Sequence, residues 1–188
     1  MSPRAHRDRR PRRSEDVERD AALLLERLGV RDAPIPVDRV AALLGLHIER
    51  TVFGDDVSGV LVINQDKGVI GVNASQPLVR QRFTIAHEIA HYELHREELP
   101  VFIDKQLRQY AAVFRNADSS NGEDRREREA NRYAAALLMP LPLLREEIAK
   151  LPPELDDEEV VESLAARFNV SKQAMSFRIA NAGHETSR

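Results

Sequence analysis

The sequence predicts an α+β fold: a small antiparallel sheet of three to four strands packed on a mainly helical body, closed by a C-terminal helix-turn-helix-like helix pair. Three observations carry that prediction. Apolar and polar residues alternate through Leu46, Ile48 and Val52, and β-rich runs follow at Val57 to Ile63 and Val69 to Val72, the pattern of half-buried strands. Turn-forming stretches, Gly54-Asp55-Asp56 and Asn64 to Gly68, divide these runs into three strands that read as an antiparallel meander. On either side of them, apolar residues recur every three to four positions, the period of an amphipathic helix.

Taken in order, residues 1–13 carry six Arg and one Asp, a local +5, which leaves −8 for the remainder of a chain whose net charge is −3. Two prolines and no apolar periodicity make this stretch a disordered basic tail. Order begins at Ser14. A helix through Leu28 places Ala21, Leu24, Leu25 and Leu28 on one stripe and stops at Gly29. Pro34 and Pro36 form an extended link, and a short helix from Val37 to Leu44 ends at Gly45. The strands follow, then helix from Pro77 onward, with one more short strand at Val101-Phe102-Ile103. Residues 115–126 are polar and read as a linker, with Asn121 the N-cap of the next helix. The chain thus divides into the basic tail (1–13), a core (14–150), a helix pair packed on it (151–183) and a short disordered tail (184–188).

Composition removes whole classes of function. Cysteine is absent, which excludes thiolate metal sites, iron–sulfur clusters and a cysteine nucleophile. It also fits a reducing, cytoplasmic setting. No apolar run approaches the roughly 20 residues that span a bilayer, and none follows the basic N-terminus as a secretory signal requires. Tryptophan is absent and aromatics make up 5% of the chain, too few for stacking on single-stranded nucleic acid. There is no Gly-x-Ser-x-Gly elbow and no phosphate-cradling glycine loop.

One run carries chemistry: His87-Glu88-Ile89-Ala90-His91. Histidines four apart lie one turn apart on the same helical face, so both imidazoles reach a single ion. Glu88 projects from an adjacent part of the surface, within reach of an activated water but not of the metal. The surrounding window, Phe83 to Leu94, has no Gly or Pro and reads as a buried helix.

A hydrolytic zinc site needs three protein ligands and one open position. His95 continues the spacing, but three ligands on one straight helix drift along its axis by about 12 Å and cannot share an ion. His95 is better suited to touching substrate or capping the helix end, where a cation is favoured. The third ligand should come from the helix that follows the linker, where Ala130, Ala134, Leu137 and Leu138 form a buried stripe. Glu127 falls on that stripe, and a carboxylate there needs a partner; Glu129 is the alternative. Asn131, one turn on, is placed to support a ligand histidine from outside the coordination shell. Tyr92, His95 and Tyr133 are the candidates for stabilising a transition state or contacting substrate.

At these residues the chain resembles the ImmA/IrrE family of metallo-endopeptidases. The resemblance is carried by RQRFTIAHEIAHYELH (Arg80 to His95) and EREANRYAAALLMP (Glu127 to Pro140). PVDRVAALLGLHIE, SGVL, IGVN and LAARFNVSKQAMSFR support it, in the family's order. It implies a thermolysin-like, zincin-like core, one zinc ion per chain (with manganese as the alternative metal), Glu127 as third ligand and Glu88 as base. It further implies a protein substrate, a helix-turn-helix repressor of the XRE type, and so an anti-repressor in mobile-element or stress regulation. The chain stops after the helix pair, without the further sensor-like domain of radiation-response members. That points to a stand-alone protease encoded beside its repressor.

The rival class is a DNA-binding or repressor-sequestering regulator without proteolysis. The run Glu158 to Ala182 resembles a helix-turn-helix, with a turn at Asn169-Val170 and Ser171 as N-cap. Yet its second helix offers only Lys172 and Arg178 as cations, and Asp156 to Glu159 lie just upstream, a poor footprint for duplex binding. Leu164, Phe168, Val170, Met175 and Ile179 are instead expected to pack the pair onto the core. Direct nucleic-acid binding and membrane association are therefore not expected.

Overall fold

A computed structural model describes residues 13–54, 57–64, 67–97, 101–105 and 122–185. The basic tail, most of the predicted linker including Asn121, and the last three residues lie outside them.

The first helix, α1 (Ser14–Arg27), buries Val17, Ala21, Leu24 and Leu25, a stripe at helical spacing. Gly29 ends it at φ +65, a conformation that costs glycine little and other residues more. α2 (Val37–Leu43) follows and stops at Gly45, again at positive φ.

Four strands come next in the chain or shortly after: β1 (Leu46–Thr51), β2 (Val57–Asn64), β3 (Lys67–Asn73) and, beyond the next helix, β4 (Val101–Lys105). They form one sheet in the order β1-β3-β2-β4. The predicted α+β class and strand number hold, but the sheet is mixed rather than wholly antiparallel. β2 pairs antiparallel with β3 and β4, whereas β1 runs parallel to β3. The reason lies in the connections. Only two residues separate the paired Asn64 and Lys67, so β2 and β3 must be hairpin neighbours. Five residues separate β1 from β2, enough to step across the roughly 10 Å of two inter-strand spacings and leave room for β3 between them. In this order Ser58 to Ile63 offers no free sheet edge to an extended substrate. β2 is interior, flanked by β3 and β4.

α3 (Leu78–His95) lies against β2 and β3 and crosses α4 (Gly122–Leu138). α1 packs against α4. Leu61, Ile70 and Val72 are fully buried on the sheet, and Ile85 and Ile89 on α3; each such side chain contributes about 1.5–3 kcal/mol. On α4, Ala130, Ala134, Ala135 and Ala136 are all buried, and small side chains let two helix backbones approach closely.

Three helices complete the chain: α5 (Leu141–Ala149), α6 (Asp157–Phe168) and α7 (Lys172–Glu185). α6 opens with a capping box in which the Asp156 carboxylate accepts from Glu159 N–H while Glu159 accepts from Asp156 N–H. Asn169, at φ 52, turns the chain, and the Ser171 hydroxyl accepts from Ala174 N–H at 3.1 Å as the cap of α7. Leu164, Phe168, Val170 and Met175 are buried and Ile179 packs beside them. These apolar side chains of the helix pair belong to the buried core cluster.

Candidate metal centre

α3 is an unusual core helix. Alongside its aliphatic residues it buries Thr84, His87, Glu88, His91 and His95. Burying that many polar groups is costly unless they gain partners. The geometry shows what they gain.

His87 Nε2 and His91 Nε2 lie 3.0 Å apart, one turn apart on α3. From α4, Glu127 places Oε2 at 3.2 Å from His87 Nε2 and Oε1 at 3.2 Å from His91 Nε2. The three donor groups form a compact cluster and are the only such cluster capable of holding a metal ion among the described residues. A tetrahedral zinc with bonds of about 2.0–2.1 Å has neighbouring ligand atoms about 3.3 Å apart. The observed triangle is that of one face of such a polyhedron, so the residues fit the ion. Two neutral imidazoles and one carboxylate are also a donor set that zinc accepts. The histidine side chains are almost wholly buried, while the Glu127 side chain is 39% exposed. The site is therefore open on the side of α4.

The electrostatics match. Burial pushes the His91 imidazole down to about 4, against the opposing pull of the Glu127 carboxylate. It is neutral near pH 7, as a ligand must be. Burial works to raise Glu127, but its hydrogen bonds with His87 and His91 win and hold it well below the usual carboxylate range. His91 and Glu127 are thus preset in their metal-binding charge states.

Glu88 is fully buried on the sheet side of α3. A Cβ added at Gly59 of β2 would lie 3.1 Å from Glu88 Oε1, so the carboxylate rests against the strand backbone. The other candidates are dispersed. His95 is buried and its Nε2 lies 3.8 Å from Glu129 Oε2; Glu129 in turn has Arg125 Nε at 4.0 Å. Tyr92 carries the Arg96 guanidinium over its ring at 4.8 Å. Tyr133 lines a cavity of about 490 Å³ with Asp20, Leu23, Leu24, Glu26 and Arg27 of α1. Asn131 is buried one turn beyond Glu127, and its Oδ1 has no hydrogen-bond partner among the described residues.

Two features escaped the sequence reading. The pairing of Glu129 with His95 depends on how α3 and α4 cross. The contact of Gly59 with Glu88 is tertiary as well, although a glycine inside a strand pattern is a signal of close backbone approach.

A mixed sheet backing a His-Glu-x-x-His helix, crossed by a second helix that brings an acidic donor, defines the class: an α+β domain with a His/His/Glu site able to bind a metal. The profile of the peptidase M78 family, described as the IrrE N-terminal-like domain, matches residues 41–180, and the chain belongs to that family. Among solved structures, a Mycobacterium tuberculosis transcriptional regulator is similar in fold, with a TM-score of 0.59 and 19% identity. The alignment covers 88% of this chain and 46% of that one, so the chain spans about half the length of this structural relative. No curated protein matches.

Proposed function

We infer that the protein is a zinc-dependent endopeptidase whose substrate is a helix-turn-helix repressor, acting in the cytoplasm as an anti-repressor. The observation that carries the enzymatic reading is the triangle of His87, His91 and Glu127 donor atoms, with edges of 3.0–3.2 Å. Family membership supports peptidase chemistry. The choice of repressor rests on the resemblance to ImmA/IrrE peptidases.

His87, His91 and Glu127 would hold the ion. Zinc bound there supplies Lewis acidity, which acidifies a water and polarises the scissile carbonyl. Glu88 accepts the proton of the attacking water on a carboxylate oxygen and delivers it to the amine nitrogen as the C–N bond breaks. Its burial keeps bulk water from competing for that proton. Asn131, one turn beyond Glu127, is the candidate to support a ligand histidine through its side-chain amide, a contact not formed here, where its Oδ1 has no hydrogen-bond partner among the described residues. His95, whose ring centroid lies 5.5 Å from that of His91, is the better-placed candidate for contacting the reacting carbonyl; Tyr92, under the Arg96 guanidinium, and Tyr133, turned toward α1, have less support.

The test is to load the protein with one equivalent of zinc, add a helix-turn-helix repressor of the XRE type and follow the repressor's intact mass. Two fragments that together account for the repressor plus one water support the reading. An intact repressor in a stable complex supports sequestration instead.

A DNA-binding reading draws less support. Arg178 is buried, donates Nε–H to Met139 O at 2.9 Å and forms a two-pronged ion pair with Glu18. Lys172 pairs with Glu162 at 2.9 Å. Both cations of the second helix are engaged within the protein.

A further inference from the structure

Gly59 lies where β2 approaches α3 too closely to leave room for a Cβ. A β-bulge precedes it: Val57 pairs with Lys105 and Gly59 with Asp104, leaving Ser58 as the extra residue on β2. A bulge bends its strand locally and re-aims the neighbouring side chains. Ser58 is turned into a buried position where its hydroxyl accepts from Gln76 Nε2 at 3.1 Å and from Arg80 at 3.4 Å. Gly59 is then pressed against α3. A Cβ there would collide with Thr84 Cγ2, lie 3.1 Å from Glu88 Oε1 and 3.2 Å from Gly71 O.

Thr84 and Glu88 are one helical turn apart, so both side chains descend on the same point of β2. Thr84 is fully buried. A β-branched side chain is stiff at χ1, with few rotamers open to it in a helix. Thr84 cannot yield cheaply, and Gly71 O is backbone. The group with most freedom to move away from a new methyl is the Glu88 carboxylate.

We propose that Gly59 is a positioning residue for catalysis: the bare backbone of β2 is the seat against which the Glu88 carboxylate is set, and Thr84 is the wall of that seat. This rests on the reading of Glu88 as the base. It identifies a residue on the sheet, outside both metal-binding helices, as a determinant of the reaction rate. In Gly59→Ala the new methyl meets Thr84 first and crowds the Glu88 carboxylate, and none of the three atoms nearest to it belongs to His87, His91 or Glu127. A misplacement on the order of 1 Å costs about 100-fold in rate.

The experiment compares zinc-loaded wild type, Gly59→Ala, Thr84→Ser and the double variant Gly59→Ala/Thr84→Ser, with Glu88→Gln as reference. Three quantities are read: zinc affinity by chelator competition, affinity for acetohydroxamate by calorimetry, and the rate of repressor cleavage. Acetohydroxamate engages the metal and the neighbouring carboxylate, so it reports the position of Glu88 without turnover. Gly59→Ala is expected to keep zinc affinity within about threefold, to lose about 100-fold in cleavage rate, and to weaken acetohydroxamate by about tenfold, as Glu88→Gln does through loss of one charged hydrogen bond. Removing the Thr84 methyl in the double variant restores at least tenfold of the rate and most of the acetohydroxamate affinity. If Gly59→Ala does not fold, the double variant against Thr84→Ser decides: a double variant as impaired as Glu88→Gln overturns the seat-and-wall account. So does a Gly59→Ala protein with wild-type rate and acetohydroxamate affinity. If wild type binds zinc and acetohydroxamate but cleaves no repressor, the peptidase reading fails, while the acetohydroxamate series still decides the role of Gly59.

Discussion

The crossing of α3 and α4 and the seam between α7 and α1 both bury charged groups, and they settle those charges differently. At the seam, Arg178 gives its donors to Glu18 and to Met139 O, so the charge is matched within the fold. At the crossing, one carboxylate faces two imidazole nitrogens that also face each other at 3.0 Å. Electron-rich atoms converge there with too few protons among them, an arrangement that a cation completes. The difference teaches which buried charges serve stability and which serve chemistry: the first kind closes on itself, the second leaves a shared centre.

That contrast can be broken by substitution. Glu127→Ala should have the largest effect, lowering zinc affinity by more than the roughly 10–100-fold typical of groups outside the coordination shell. Chelator competition measures it, and unchanged affinity would move the third ligand elsewhere. Arg178→Ala should do the reverse. Leaving Glu18 without its buried partner costs about 3 kcal/mol, a fall of roughly 6–12 °C in Tm for a chain of this size, with zinc affinity unchanged. A loss of zinc affinity in that variant would show that the two regions are not separate.

Smaller effects sharpen the same comparison. Asn131→Ala should weaken zinc about tenfold; wild-type affinity would assign its amide to packing. The metal-free protein should lose stability on acidification. His91 is held down to about 4 in the fold against 6.5 ordinarily. Between those values the unfolded chain binds a proton that the folded one refuses, so stability falls as pH drops from 6.5 toward 4. Glu127, held below the usual carboxylate range, adds a further loss below about 4.5. Melting curves of metal-free protein at pH 7.5 and 4.5 test this. A higher Tm at the lower pH would contradict the assigned charge states.

How much was legible beforehand depends on the range of the interaction. His87, Glu88 and His91 are local: their spacing places two imidazoles on one helical face whatever the rest of the chain does. Glu127 was reachable because a carboxylate on an apolar stripe is conspicuous. The helix stops at Gly29 and Gly45 and the cap at Ser171 are local too, and each is found where expected. The parallel pairing of β1 with β3 was not legible, because alternation reveals strands but not their neighbours. His95 and Glu129 carry no local mark of their pairing, and Gly59 carries only a faint one, its place inside a strand.

The most direct test of the central claim is the intact mass of the repressor after incubation with zinc-loaded wild type and, in parallel, zinc-loaded Glu88→Gln. The account predicts two fragments with wild type and an uncut repressor with Glu88→Gln at equal zinc content, a rate loss of about 100- to 10,000-fold. Cleavage by Glu88→Gln at the wild-type rate would contradict it.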